Sequence, residues 1–197
     1  MLEALTARVV VIVEGIADRL IVEAAAQARG FSLDRHGVAI LELDGADKFP
    51  TVYKLLGPAA FDIDILGLVD EAEQRPWIGA VGGKPVNVID HTVFVSSSDL
   101  EDEYCRALGA QESAQRLISA GVARDSRSIL DACGVDELEE LEYKAVAKFC
   151  RSSAGKGKSS RKVPSALAIG RTLTAAEAEK ITSVNKLLNE LERRVAE

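Results

Sequence analysis

Acidic residues stand at the points where apolar runs give way to turns. Glu14 and Asp18 are four residues apart at a strand-to-helix junction, a spacing that puts both on one face of the first helical turn. Asp70 closes another apolar run, with Glu71 and Glu73 right behind it. Asp99, Glu101 and Glu103 open a later helical segment. Carboxylates brought together repel each other unless positive charge sits between them. A hard divalent cation supplies that charge and prefers carboxylate oxygens. One or two Mg²⁺ or Mn²⁺ ions held this way would activate a water and stabilise the leaving oxygen of a phosphodiester. A plainer reading exists. Glu14 and Asp18 also suit capping and the helix dipole, Asp70 suits a solvated loop, and an acidic turn from Asp99 to Glu103 is expected at any helix start. Spacing alone leaves both readings open.

Basic residues are segregated from these acids. Between positions 144 and 162 lie Lys144, Lys148, Arg151, Lys156, Lys158, Arg161 and Lys162, with no acid among them. Lys144, Lys148 and Arg151 share a helical face, a surface that suits a phosphate backbone but carries no base-sequence information. The Ser/Gly/Lys stretch from Ser152 to Arg161 reads either as a loop that tracks phosphates or as a solvated linker. Gly155-Lys156-Gly157-Lys158-Ser159 looks like half of a phosphate-binding P-loop. Ser152 stands where that motif needs glycine, and a helix precedes it instead of a strand, so ATP binding is not expected there.

The elements that must position the acids follow from hydrophobic patterning. Arg8–Val13, Val38–Leu43 and Ile63–Val69 are apolar, β-branched runs too short for typical helices and suited to strands buried on both faces. Helical periodicity separates them, over Ile16–Arg29 and Lys48–Leu56. Strands alternating with helices imply right-handed crossovers and a parallel sheet. Ligands of such sheets bind at the carboxyl ends of the strands, where Glu14, Asp44 and Asp70 stand. Thr92–Val95 predicts a fourth, short strand. Gly79–Gly83 reads as a turn, with a hairpin over Val81–Lys84. Asp99 is an N-cap for a helix over Glu101–Ala107. Further helices are expected over Gln111–Ala120, Ser126–Ala132, Glu137–Cys150, from Pro164 to Ile169, and from Ala175 to Val195. The last carries an apolar stripe for core or dimer packing. The expected division is an α/β domain over residues 1–125 and a helical region over 126–197 that carries the basic loop. There is no internal repeat.

Composition narrows the function classes. The 197 residues have a formal charge of −7, which argues against a protein that coats DNA generally, although local sign matters more than the total. Cys105, Cys133 and Cys150 are far apart and form no CxxC pair, so neither a zinc site nor a disulfide framework is suggested. With only His36 and His91, a His-rich metal site or a Ser-His-Asp triad is hard to build. His36 reads as a turn residue. Trp77, after Pro76, reads as packing at a core edge and not as a base-stacking platform. No apolar run is long enough for a bilayer span, and Met1–Arg8 lacks a signal-peptide layout, so a cytoplasmic location is expected.

The segment Val9-Val10-Val11-Ile12-Val13-Glu14-Gly15-Ile16-Ala17-Asp18 resembles the opening of the Toprim domain. Val38–Leu43 with Asp44-Gly45 looks like that domain's second strand and turn. Leu66–Ala72 occupies the place of its Asp-x-Asp motif. The likeness is greatest to the Toprim domains of the overcoming-lysogenization-defect nucleases. Asp99-Leu100-Glu101 matches their Asp-Leu-Glu turn, and Lys162 matches a C-terminal lysine. The resemblance is strong over Arg8–Glu73, moderate to Glu103 and loose beyond.

This resemblance implies two-metal DNA cleavage. Glu14, Asp18 and Asp70 would be ligands or base, Asp99 and Glu101 would reach a second ion, and Lys162 would steady transition-state charge. Two departures stand out. Ala72 replaces the second aspartate of Asp-x-Asp, which weakens or removes one metal site. The family's ATPase domain does not precede the Toprim part in this sequence, so the expectation includes a stand-alone form, a partner of a separate ATPase, or a piece of a longer protein. The expected function is a metal-dependent DNA endonuclease, possibility of a homodimer included. The alternatives are a degenerate module that binds nucleic acid or an ATPase without cutting, and a small primase-like or RNA-processing enzyme.

Overall fold

The five residues Val9–Val13 form strand β1, and every one of them is buried. A β-branched run with no polar face must be covered on both sides. The computed structural model describes residues 2–43, 45–82, 92–153 and 160–196. Asp44, the hairpin residues Gly83 and Lys84, His91, Lys156 and Lys158 lie outside them.

Four parallel strands form one sheet in the order β2 (Val38–Glu42), β1, β3 (Asp64–Asp70), β4 (Val93–Ser96). The chain leaves β1 toward β2 and then crosses back over β1 to β3. The crevice between β1 and β3 is therefore the point where strand order reverses, the place such sheets reserve for ligands. Register puts Val13 opposite Leu68, so the residues that follow, Glu14 and Asp70, emerge at the same rim.

Alternation along β1 divides the core. Val9, Val11 and Val13 face a cluster with Ile21, Val22 and Ala25 of α2 (Ile16–Ala28), and this cluster continues through the later helices to Leu191. Val10 and Ile12 face the other side, against Phe49 and Leu56 of α3 (Phe49–Leu56), Ile65, Val69 and Trp77. Trp77 is fully buried there: its ring stacks on Phe49 at 4.0 Å and its Nε1–H donates to the Ala46 carbonyl at 2.9 Å. Gly67 makes this possible, because a Cβ at that position would stand 2.8 Å from the Trp77 ring.

Later helices close the first face: α5 (Leu100–Leu108), α6 (Ala110–Ser119), α7 (Ser126–Cys133), α8 (Tyr143–Arg151) and α9 (Lys162–Gly170). A short helix α1 (Leu2–Thr6) precedes β1. Gly170 lets α9 approach α2 closely; a Cβ there would meet the Ala24 Cβ at 2.9 Å. No described helix is long and apolar enough to cross a membrane.

The structure differs from the patterning in three places. Gln74–Ala80 is helix (α4), for which the patterning gives no helix and which runs into the turn read from Gly79; Pro76 sits in its first turn, where a missing N–H costs nothing. The helix expected over Glu137–Cys150 is broken. Leu138–Glu140 makes one 3₁₀ turn, and Leu141 and Glu142 are extended before α8 begins. Repulsion among Asp136, Glu137, Glu139, Glu140 and Glu142 disfavours a continuous helix there.

The helix expected over Ala175–Val195 splits into α10 (Ala175–Ala178) and α11 (Thr182–Ala196). Its second start is held from outside. The buried Glu103 carboxylate accepts the Ser183 N–H at 2.9 Å and the Ser183 hydroxyl at 2.8 Å. The apolar stripe of α11, Leu187, Leu188 and Leu191, is buried in the core.

Candidate functional site

The two strand ends at the crevice are tied to each other. Glu14 Oε1 accepts the Asp70 backbone N–H at 2.7 Å, across the gap between β1 and β3. Asp18, one turn into α2, turns back so that Oδ2 accepts the Gly15 N–H at 3.0 Å. This is an acid at a helix start satisfying an orphan donor. It also leaves the Asp18 carboxylate beside Glu14.

The loop from β4 into α5 brings in the next acid. Its backbone N–H groups are bound by carboxylates from several directions. Ser97 donates to Glu103 Oε1 at 2.9 Å, Ser98 to Glu71 Oε2 at 3.0 Å, Leu100 to Asp70 Oδ1 at 3.2 Å and Asp102 to Asp99 Oδ1 at 2.8 Å. Ser98 is left-handed, with φ 69°, a conformation disfavoured for a side chain and held here by these bonds. The positive end of the helix dipole thus docks the end of β3. Glu101, in the first turn of α5, is delivered to the crevice with only 2% of its surface exposed.

Glu101 Oε2 has no hydrogen-bond partner. Lys162 Nζ, at the start of α9, lies 3.6 Å from it, near enough for charge attraction and too far for a hydrogen bond. The basic residue resembling a family lysine and the acid of the Asp-Leu-Glu turn therefore meet.

Mutual repulsion marks the cluster. Burial, then the charges of Glu101 and Glu14, push the Asp18 carboxyl up to about 7. Burial, then Glu14, Asp18 and Glu101, push Asp70 up to about 8, against the opposing pull of Lys162. Glu14 is raised by burial, partly offset by its Asp70 N–H bond and raised further by Glu73. Glu101 is raised by burial, with Lys162 opposing. Burial lowers the Lys162 ammonium, but Glu101, Asp70, Asp18 and Asp99 together more than offset it and the net shift is upward. Four carboxyls thus share one pocket, and the positive charge that opposes their repulsion comes from Lys162, joined at Glu101 by Arg151.

The donor set is all oxygen, which fits Mg²⁺ or Mn²⁺ and not a soft metal. The unpartnered, buried Glu101 Oε2 fits a missing cation as well. Among the described residues, no three His, Cys, Asp or Glu side chains already stand in coordinating geometry. Several of these oxygens are turned to backbone N–H groups instead, as the hydrogen bonds above show.

Other residues singled out in the sequence are placed as follows. Asp99 is the N-cap of α5 and pairs with Arg151, so these two engage each other. Arg161 lies over the Phe149 ring at 4.3 Å and donates to Ser152 Oγ at 2.7 Å and the Ser153 carbonyl at 2.6 Å. A Ser153–Ser160 bridge joins the same two stretches. Lys144 and Lys148 are exposed and make no ion pair among the described residues. His36 ends a 3₁₀ turn and stacks on Phe31 at 4.5 Å, away from the acids. The three cysteines are free thiols. Sequence reasoning missed Glu103 as an anchor and the Arg151–Asp99 pair, because both depend on partners far along the chain.

Comparison with known proteins agrees with this architecture. Residues 5–71 match the family model of the overcoming lysogenization defect protein-like TOPRIM domain. The C-terminal region of the Xanthomonas campestris pv. campestris OLD protein superposes with a TM-score of 0.73 at 24% identity, over 98% of this chain and 96% of that one. The chain has an OLD-like Toprim fold. The C-terminal region of the Burkholderia pseudomallei OLD protein is similar too, with a TM-score of 0.70 at 22% identity, over 96% and 98%. No curated protein matches. The match to the Toprim model spans Glu14, Asp18 and Asp70; Glu101 and Lys162 lie beyond it and join the site through the geometry described above.

Proposed function

We propose that this OLD-like Toprim chain is a divalent-metal-dependent nuclease acting on DNA phosphodiesters. The observation that carries the reading is the meeting of Glu14, Asp18, Asp70 and Glu101 at the β1–β3 crevice, with Lys162 against Glu101. Glu14, Asp18, Asp70 and Glu101 would hold the ions, which when bound supply an activated water and charge stabilisation at phosphate oxygens. Glu14 and Asp70 fix the spacing of the two strand ends through their shared hydrogen bond. Lys162 offsets part of the acidic charge, and its half-buried ammonium suits a phosphate oxygen entering the crevice. Lys144 and Lys148 present exposed positive charge that suits a phosphate backbone, without reading sequence.

Supercoiled plasmid incubated with the protein and Mg²⁺ or Mn²⁺ tests the reading. Nicking that disappears in Glu14→Gln and Asp70→Asn supports it. Nicking that persists in both, or none in the native protein, removes it.

A second reading is a module that binds nucleic acid or a separate ATPase without cutting. Ala72 and the engagement of Asp99 by Arg151 favour it. DNA retention without nicking, under conditions where Mn²⁺ binds, separates it from the first. An RNA substrate in the same assay separates both from an RNA-processing enzyme.

A further inference from the structure

We propose that the Gly15–Ile16 step at the rim of the crevice seats a sugar of the bound DNA strand beside the scissile phosphate, Gly15 by leaving room for it and Ile16 by packing against its apolar face. This assignment rests on the reading of the chain as a nuclease.

The fold itself does not ask for glycine at position 15. The backbone there is extended, with φ −158° and ψ −179°, a conformation open to any residue. A Cβ at Gly15 would meet nothing within 4 Å. Among the other described glycines only Gly79, in the last turn of α4, shares both properties. The rest have a left-handed φ or would bring a Cβ within 3.0 Å of a neighbour. Gly15 is also the N-cap of α2 and makes no side-chain cap bond. Serine would supply one, and Asp18 already accepts the Gly15 N–H at 3.0 Å, half of a capping box. Local stability therefore favours a side chain at position 15. The space left open adjoins both proposed cation ligands: Gly15 follows Glu14 directly, and Asp18 holds its N–H.

Ile16, the first residue of α2, is 49% exposed. Single exposed apolar residues are ordinary. The place of this one gives it a role, because it stands next to the open space at Gly15 where the carboxylates gather. A strand entering the crevice presents phosphate oxygens to a cation. On either side of each phosphate it carries a sugar with an apolar C–H surface. An open gap followed by an apolar side chain, beside an acidic cation pocket, matches that alternation. A sugar contact reads no base, so the seat is independent of sequence.

Anisotropy of a fluorescein-labelled duplex oligonucleotide, with Ca²⁺ in place of Mg²⁺ to hold back cleavage, tests the seat on the native chain and its variants. Gly15→Ser is expected to weaken DNA binding about tenfold or more, the effect of overpacking one close contact. Its Mn²⁺ affinity should be unchanged, and its melting temperature should equal or exceed the native value, since the hydroxyl completes the cap. Ile16→Ala is expected to weaken DNA binding about fivefold, the loss of a small apolar contact. Gly79→Ala should leave DNA binding as it is. Native DNA affinity in Gly15→Ser or in Ile16→Ala overturns the assignment, as does an equal loss in Gly79→Ala. A lower melting temperature in Gly15→Ser would assign the open space to the fold, and a loss of Mn²⁺ affinity would assign it to the metal centre; either overturns the seat. If the native chain nicks plasmid and Gly15→Ser binds DNA as tightly, this assignment alone falls. If the native chain neither binds nor nicks DNA, the nuclease reading falls with it.

Discussion

Lys162 Nζ stands 3.6 Å from Glu101 Oε2, a buried carboxylate oxygen that no donor reaches within hydrogen-bond distance. The lysine is about half-buried, so it is the Glu101 side of this pair that is starved of water. Removing the ammonium leaves a buried charge facing three other acids. Lys162→Met is expected to destabilise the metal-free chain by about 1–3 kcal/mol, discounted for the lysine's partial exposure. Glu101→Gln in the same chain should recover part of that loss. Urea denaturation of the two single variants and the double variant measures the coupling. Additive effects would mean that the two groups do not interact.

Stability of the metal-free protein should fall as pH rises. Asp18 and Asp70 titrate at about 7 and about 8 in the folded chain, against ordinary values near 4. Between those limits the folded state binds more protons than the unfolded one, so unfolding becomes easier with each unit of pH. The decline spans about pH 4 to 8 and levels off above the folded values. Thermal melts in a chelator across this range check it, with an expected loss of at least about 1 kcal/mol, or a few degrees. Asp70→Asn should flatten the profile. Mn²⁺ at about 100 times its dissociation constant should add about 2.7 kcal/mol at neutral pH.

Glu103 holds three elements at once: the Ser97 N–H after β4, the α5 helix it sits on, and the start of α11 through Ser183. Glu103→Ala leaves two backbone N–H groups and a hydroxyl without their acceptor. The expected cost is about 3 kcal/mol, read from urea denaturation. Ser183→Ala, which keeps the backbone N–H bond and removes the hydroxyl's bonds to Glu103 and to Ser96 Oγ, should cost about 1–2 kcal/mol.

Gly67→Ala should be destabilising although alanine favours most backbones more than glycine does. The new methyl would meet the Trp77 ring at 2.8 Å, and that ring is held by Phe49 and by the Ala46 carbonyl. Overpacking of this kind costs about 1–3 kcal/mol. Because Trp77 is the sole tryptophan, its fluorescence reports the change directly. Asp70 lies three residues along β3, so Mn²⁺ affinity should fall too.

Much of this fold is legible along the sequence. Three β-branched runs are too short for helices and too apolar for one-sided strands, and the acids at their ends follow as a consequence of a parallel sheet. Asp99 as a cap is legible because an N-cap bonds two or three residues ahead. The rest depends on non-local partners. Nothing near Ser183 says that a carboxylate 80 residues away starts α11, so the last helix reads as unbroken. Arg151 reads as part of a basic helical face for a phosphate backbone until the fold sets it against Asp99. The acidic cluster was visible as residues, whereas the backbone N–H groups that hold its oxygens, such as those of Asp70 and Leu100, were not.

The proposed nuclease chemistry requires that Glu14, Asp18, Asp70 and Glu101 hold a cation together. Anomalous X-ray scattering from crystals grown with Mn²⁺ tests it most directly. An anomalous peak is expected between Glu14 and Asp70, within coordination distance of both carboxylates. A well-diffracting crystal saturated with Mn²⁺ that shows no peak in the β1–β3 crevice, or peaks only elsewhere, would contradict it.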